Sequence, residues 1–218
     1  MRLSTAATKS AVDIMPNLLL NLYYTQRSGA GEQHTMTIGK INTASIKSFF
    51  SNLVHTSFLD LGKEKDRDAA VYLIDMLTDF ARTESLYKLS DSEGKKMLTI
   101  VEMLLESKNA QVNDSGYERE VRKYVGDFAL FMSGIFRDYV NRGSYLQYYL
   151  NEGMKSYFVV SRLDLERGEG NPIMFSKLSR EFEFYSGALD YMRKVYFGPE
   201  NHSDPFMSFA AHLSRIKH

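Results

Sequence analysis

The chain has 218 residues, and 44% of them are hydrophobic, so it can bury a sizeable core and global disorder is excluded. Lysine plus arginine equals aspartate plus glutamate at 27 each, so the basic surface typical of nucleic-acid-binding proteins is not expected. There is no cysteine, which excludes disulfides, thiolate metal sites and a cysteine nucleophile.

The sequence carries no sign of a membrane segment. The stretch most similar to a signal peptide, residues 14–24, is interrupted by Pro16, Asn17 and Asn21. Nowhere does the chain reach the run of about 18 apolar residues that a membrane-spanning helix needs. Together with the absence of cysteine, this predicts a soluble cytoplasmic protein that has neither membrane nor nucleic acid as its partner.

The first 42 residues predict a short helix followed by an extended arm. Apolar residues recur at helical spacing between Val12 and Leu22. Over residues 33–39 apolar and polar residues alternate as in a strand, which leaves a short β-arm and an extended loop as alternatives. If it is an exposed strand, this arm would suit pairing with a second subunit.

From Thr43 onward the pattern is helical throughout, because apolar residues recur every three or four positions. Glycines at 62, 143 and 168 are expected to end helices, and Asn171 with Pro172 is expected to open one. We predict an all-α fold, a compact bundle of seven or eight helices in a single domain. Its parts are an N-terminal helix and arm (1–42), a helical half (43–110) and an aromatic-rich helical half (114–218), with the longest helices at 117–141, 145–167 and 172–196.

The residues of familiar metal and cofactor sites are missing from the sequence. None of the five histidines has a glutamate three positions before it, which excludes a ferritin-like di-metal site, and the HExxH zinc motif is also absent. The phosphate-binding GxxxxGK motif and the GxSxG nucleophile motif are absent as well. We therefore predict neither a metal nor a cofactor.

Asp127 is the most unusual residue, because it lies in a helical stretch of apolar and small residues. Its neighbours at three and four positions include Tyr124, Leu130 and Phe131. Burying a carboxylate without a partner is costly, so a partner is expected. The small residues around it, such as Gly126 and Ala129, favour a tight helix pair. The candidate partners are Arg122, Tyr148, Tyr149 and Tyr157.

Two roles are open for this group of residues. In the favoured role Asp127 is a structural pin, bonded to tyrosine hydroxyls across two helices and fixing their register. In the alternative role it lines the pocket of an enzyme or a sensor for a small apolar or aromatic ligand. The ligand-binding residues would then be Asp127, Arg122, Tyr148, Tyr149 and Tyr157.

Three stretches carry a resemblance to a known family. They are VYLIDMLTDF (71–80), VGDFALFMSGIF (125–136) and YYLNEGMKSY (148–157). Over about residues 68–160 the chain resembles an uncharacterised family of bacterial all-helical proteins with a GDxxLFxxGxF helix followed by a YYxxxGxxxY helix. The resemblance implies no activity, and it implies one shared motif formed by Asp127, Gly134, Tyr148, Tyr149, Gly153 and Tyr157.

The second half of the chain is rich in tyrosine, with eight of the 14 tyrosines falling between Tyr139 and Tyr196. Such amphipathic rings are favoured at protein interfaces and in ligand pockets. We predict a non-enzymatic cytoplasmic module that binds a protein partner or itself through this half. A pocket for a small ligand around Asp127 is the alternative.

Overall fold

A computed structural model describes residues 43–81, 99–109 and 115–197 of the chain. Of these residues 86% are helical, and no strand occurs among them. This confirms the predicted all-α fold. The predicted N-terminal helix and the β-arm near residues 33–39 lie outside the described residues. So does a short terminal helix, which Asp204 as a cap and Pro205 at the first helical position predict.

Eight α-helices follow one another in the described part of the chain, and a five-residue π-helical turn comes after the last. None of these helices is both long enough and apolar enough to cross a membrane. In chain order the elements are α1 (Thr43–Asp60), α2 (Arg67–Phe80), α3 (Ile100–Asn109), α4 (Ser115–Gly134), α5 (Arg137–Arg142), α6 (Leu146–Arg167), α7 (Pro172–Arg180), α8 (Phe182–Met192) and the π-turn (Arg193–Phe197).

Several helices end where the local chemistry predicts. Gly62, two residues after α1, has a φ of 67°, and Gly168, at the end of α6, has a φ of 64°. Glycine adopts this left-handed conformation without steric cost, which makes it a good helix stop. At the start of α7 the Asn171 side chain accepts a hydrogen bond from the backbone N–H of Met174 at 3.1 Å, and Pro172 occupies the first helical position.

Two of the predicted long helices are each divided in two. The helix predicted for 117–141 is split between α4 and α5 after Gly134, and the one predicted for 172–196 is split at Glu181. The φ of −104° and ψ of 20° at Glu181 leave the helical range, and α8 then starts with the fully buried Phe182. Helical spacing of apolar residues continues across both breaks, so the pattern did not reveal them.

Helix α4 forms the centre of the described bundle, where it packs against α3, α6 and α8. Every residue from Tyr124 to Gly134 is buried. One cluster of buried apolar side chains extends from Ile46 in α1 to Met192 in α8. The two helical halves expected from the sequence therefore share one core.

Glycines let neighbouring side chains approach the α4 backbone closely. A Cβ atom on Gly126 would overlap the ring of Tyr157 in α6, and one on Gly134 would overlap Leu189 in α8. Because Gly126 has no side chain, the Tyr157 ring can lie against α4. Its hydroxyl thereby reaches the carboxylate of the adjacent residue, Asp127.

Candidate functional site

Asp127 lies where three helices meet, and it is only 6% exposed. Its Oδ1 accepts a hydrogen bond from the Tyr157 hydroxyl of α6 at 2.7 Å and another from the Tyr72 hydroxyl of α2. Its Oδ2 is 2.7 Å from the Nζ of Lys123, one turn earlier on α4. Both carboxylate oxygens are thus occupied by protein donors, and they connect α2, α4 and α6.

Tyr157 and Arg122 were both candidate partners of Asp127, and the structure places them differently. Tyr157 bonds the carboxylate, whereas the Nε of Arg122 lies 3.7 Å from Oε1 of Glu118. Arg122 precedes Asp127 by five positions, and that separation directs two helical side chains to different faces. Lys123 precedes Asp127 by four positions, and this separation places the two side chains next to each other on one face of the helix.

Tyr148 and Tyr149 lie near the start of α6, whereas Tyr157, which bonds Asp127, lies in the middle of this helix. They precede Tyr157 by about two turns or more, which is about 12 Å along the helix. Tyr148 is partly exposed, and the buried Tyr149 packs its ring against Phe128, with ring centroids 6.4 Å apart. The YYxxxGxxxY pattern therefore spreads its tyrosines along α6 and brings only its last one to Asp127.

The two partners that the sequence reasoning missed, Lys123 and Tyr72, differ in how they could have been found. Lys123 precedes Asp127 by four positions, and this helical spacing for an ion pair is visible in the sequence. Tyr72 is 55 residues away in the chain, and no local pattern indicates which helix it meets. Its ring also contacts Tyr157 and Phe175 edge to face, which orients its hydroxyl.

The electrostatics of this cluster favour neutral tyrosines and a charged lysine. Burial, and then the Asp127 carboxylate, raise the pKa of Tyr72 and the pKa of Tyr157 well above the ordinary tyrosine value. Burial alone would lower the pKa of Lys123, but the Asp127 carboxylate outweighs it and raises the pKa of Lys123. The hydroxyls therefore stay protonated and act as donors.

A second buried carboxylate, Asp66, lies in the polar loop before α2. Its Oδ1 is 2.5 Å from the Nζ of Lys177 in α7, and its Oδ2 accepts a hydrogen bond from the Tyr185 hydroxyl of α8 at 2.6 Å. Burial would raise the pKa of Asp66, but the hydrogen bonds from Lys177 and Tyr185 together lower it. This loop thus contacts α7 and α8, two helices that follow it by more than 100 residues in the chain.

A third buried carboxylate, Asp164, lies in the last turn of α6. The guanidinium of Arg119 on α4 bonds both of its oxygens, with Nη2 at 3.2 Å from Oδ2. The backbone N–H of Asn171 donates to the same Oδ2 at 3.1 Å. This two-point contact fixes α4, α6 and the start of α7 relative to one another.

In each of these three sites a basic side chain and at least one further donor bond the oxygens of a buried acid. Such a group can fix the positions of helices relative to one another. In residues 43–81, 99–109 and 115–197, no three histidine, aspartate or glutamate side chains are grouped so that they could hold a metal ion.

An open cavity of about 510 Å³ lies at the surface between α1 and α2. The five candidate ligand-binding residues predicted from the sequence are not part of its wall. Its lining residues are Lys47, Ser48, Ser51, His55, Val71 and Ile74.

The fold and the carboxylate clusters define an all-α helical bundle braced by buried ion pairs. The chain matches no model of a known protein family, and no curated protein or solved structure shows significant similarity to it. The resemblance to a bacterial helical family accordingly remains a prediction.

Raising the pH above about 10, the ordinary tyrosine pKa, is expected to destabilise the fold. Tyr72 and Tyr157 have raised pKa values in the folded protein, so the unfolded chain loses these protons first and stability falls as the pH increases. The expected loss is about 1.4 kcal/mol for each of the two tyrosines per pH unit above 10.

Urea unfolding at a series of alkaline pH values would measure this loss. In the Tyr72→Phe/Tyr157→Phe variant stability should be lower at neutral pH but should fall less steeply above pH 10. An equally steep fall in the stability of this variant would contradict the conclusion that Tyr72 and Tyr157 cause the loss.

Proposed function

We propose that this chain is a non-enzymatic, cytoplasmic helical module that binds a protein chain, either a second copy or a different protein. The observation that carries this proposal is an exposed apolar surface on α6 and α7. Phe158 is 55% exposed, Leu165 is 72% exposed and Ile173 is 83% exposed. We call these three residues the apolar strip.

The residues of the apolar strip are neighbours on adjoining elements. Phe158 and Leu165 are seven positions apart, which puts them on one side of α6, two turns from each other. Between them, the Ser161 hydroxyl donates a hydrogen bond to the carbonyl of Pro172 at 2.8 Å. That bond holds Ile173, the next residue, beside the same side of α6.

Exposed apolar surfaces of this kind support a role in association. Burying one large apolar side chain stabilises a protein or a complex by about 1.5–3 kcal/mol. Contact of these three side chains with another protein would therefore contribute favourable free energy to binding. Single exposed apolar residues need no explanation, but a group of neighbours is typical of sites that contact another protein.

The protein contacts of the buried acids support the non-enzymatic part of the proposal. An enzyme or sensor pocket built on Asp127 would need a carboxylate oxygen that a ligand can reach, and both oxygens already accept bonds from protein donors. The cytoplasmic part rests on the absence of cysteine, which agrees with a reducing compartment. A bacterial source is proposed on the resemblance alone.

Site-specific photo-cross-linking tests this function. A photoreactive amino acid at Leu165, in the cells that make this chain, should yield a covalent product with one protein, whereas the same amino acid at the exposed Leu59 of α1 should not. The captured protein would be identified, purified and recombined with this chain. Binding should then be lost with Ile173→Asp and retained with Leu59→Asp. No product from Leu165, or the same products from both positions, would contradict the proposal.

A further inference from the structure

We infer that the cavity between α1 and α2 binds a small organic anion with an apolar body, of the class of a medium-chain carboxylate. Its volume of about 510 Å³ falls within the range of about 300–1,000 Å³ that is usual for small-molecule sites. The cavity lies on other helices than the apolar strip, so this binding function is separate from the one proposed above.

The wall that α1 contributes to the cavity consists of polar side chains. They are Lys47, Ser48, Ser51 and His55. Ser48, Ser51 and His55 recur every three or four positions, so they lie along one side of the helix. An ammonium group, a hydroxyl group and an imidazole ring can each donate a hydrogen bond. This wall therefore offers a row of donors to a ligand that carries acceptors.

Two of these donors are free to bind a ligand. Ser51 and His55 form no side-chain hydrogen bond with another residue in the described part of the chain. Ser51 is half-buried and His55 is exposed, so a molecule in the open cavity can reach both. A ligand with acceptor oxygens would give these groups the partners that the protein does not supply.

The charge of the lining favours an anion over a cation. Among the described residues of the wall, none is acidic, and Lys47 carries a positive charge. Its Nζ lies 2.6 Å from Oδ1 of Asp75, and both side chains of this ion pair are about half exposed. Because exposed ion pairs of this kind are weak, the ammonium group can turn from Asp75 to a bound anion at little cost.

The wall that α2 contributes is apolar. It is formed by Val71 and Ile74, which are three positions apart and therefore share one side of the helix. Ile74 is buried, whereas Val71 is 52% exposed. A hydrocarbon body would remove the exposed surface of Val71 from water, which favours binding. An anion without an apolar body would make only the contacts with α1.

A nuclear magnetic resonance titration of the full chain with octanoate tests this inference. The ring signals of His55, assigned by their loss in His55→Gln, should shift and reach saturation. Octanol has the apolar body without the charge, and phosphate has the charge without the apolar body. Each should bind at least about tenfold more weakly than octanoate, because each makes one of the two sets of contacts.

Three variants locate the binding site. Val71→Asp should abolish octanoate binding with an unchanged circular dichroism spectrum, because it places a negative charge on an exposed part of the apolar wall. Asp75→Asn should strengthen binding by about two- to fivefold, since Lys47 no longer has a competing carboxylate. Leu165→Asp, the matched control in the apolar strip, should bind octanoate as the unaltered chain does.

The outcomes separate this site from the proposed function. The anion site would be overturned if octanoate left the His55 signals unchanged, if octanol bound as tightly, or if Asp75→Asn bound no more tightly than the unaltered chain. Loss of binding in Leu165→Asp would also overturn it, because octanoate would then lie on the apolar strip. The cross-linking from Leu165 tests the protein partner independently of these results.

Discussion

Replacing Asp127 by alanine is expected to lower the free energy of unfolding by about 3–5 kcal/mol. The change leaves the hydroxyls of Tyr72 and Tyr157 and the ammonium group of Lys123 without their common acceptor. Tyr157 is fully buried, so its hydroxyl would lose its acceptor away from bulk water. Urea unfolding followed by circular dichroism would measure the difference.

Two control variants make this result interpretable. Asp127→Asn keeps an oxygen acceptor for the tyrosines and removes only the charge, so it should cost about 1–2 kcal/mol. Glu166→Ala removes an exposed carboxylate that is also paired one turn away, and it should cost less than about 0.5 kcal/mol. If Asp127→Ala cost no more than Glu166→Ala, the structural role of the cluster would be refuted.

Two glycine-to-alanine substitutions are expected to change stability in opposite directions. A methyl group at Gly153 of α6 would overlap the buried ring of Phe182, which begins α8. Such overpacking typically costs about 1–3 kcal/mol. At Gly187 of α8 nothing lies within 4 Å of the added methyl group. Alanine there should stabilise the fold by about 0.5–1 kcal/mol, because it restricts the unfolded chain and favours the helix.

Thermal unfolding of both variants beside the unaltered chain would test this pair of effects. A drop in the unfolding temperature for Gly153→Ala and a rise for Gly187→Ala are expected. Stabilisation by both substitutions would mean that α6 and α8 are not in close contact at Gly153.

The helix ends show how far local chemistry predicts this fold. Asn171 and Pro172 start α7, and Gly168 ends α6, as expected from the sequence. Each of these signals acts between residues that are at most a few positions apart, so it needs no knowledge of the partner helices. The break at Glu181 has no such signal among the residues around it.

The candidate site likewise combines contacts that the sequence predicts with contacts that only the tertiary structure shows. The sequence singled out Asp127, and its contact with Tyr157 agrees with the expectation that a buried carboxylate meets tyrosines of the next long helix. The four-residue spacing between Lys123 and Asp127 is visible in the sequence, although Lys123 was not among the predicted partners. Tyr72 could not be found from the sequence, since it joins Asp127 across 55 residues and only the packing of α2 on α4 brings it there.

By itself, the sequence determined the helical class, the ends of several helices and the presence of one acid that needed partners. These properties follow from backbone hydrogen bonds and side-chain contacts within about one helical turn. The tertiary structure alone decided which tyrosines reach Asp127 and that Asp66 and Asp164 are buried too. The bond between Tyr185 and Asp66 spans 119 residues. Contacts at such separations depend on how whole helices pack, and no local pattern encodes that.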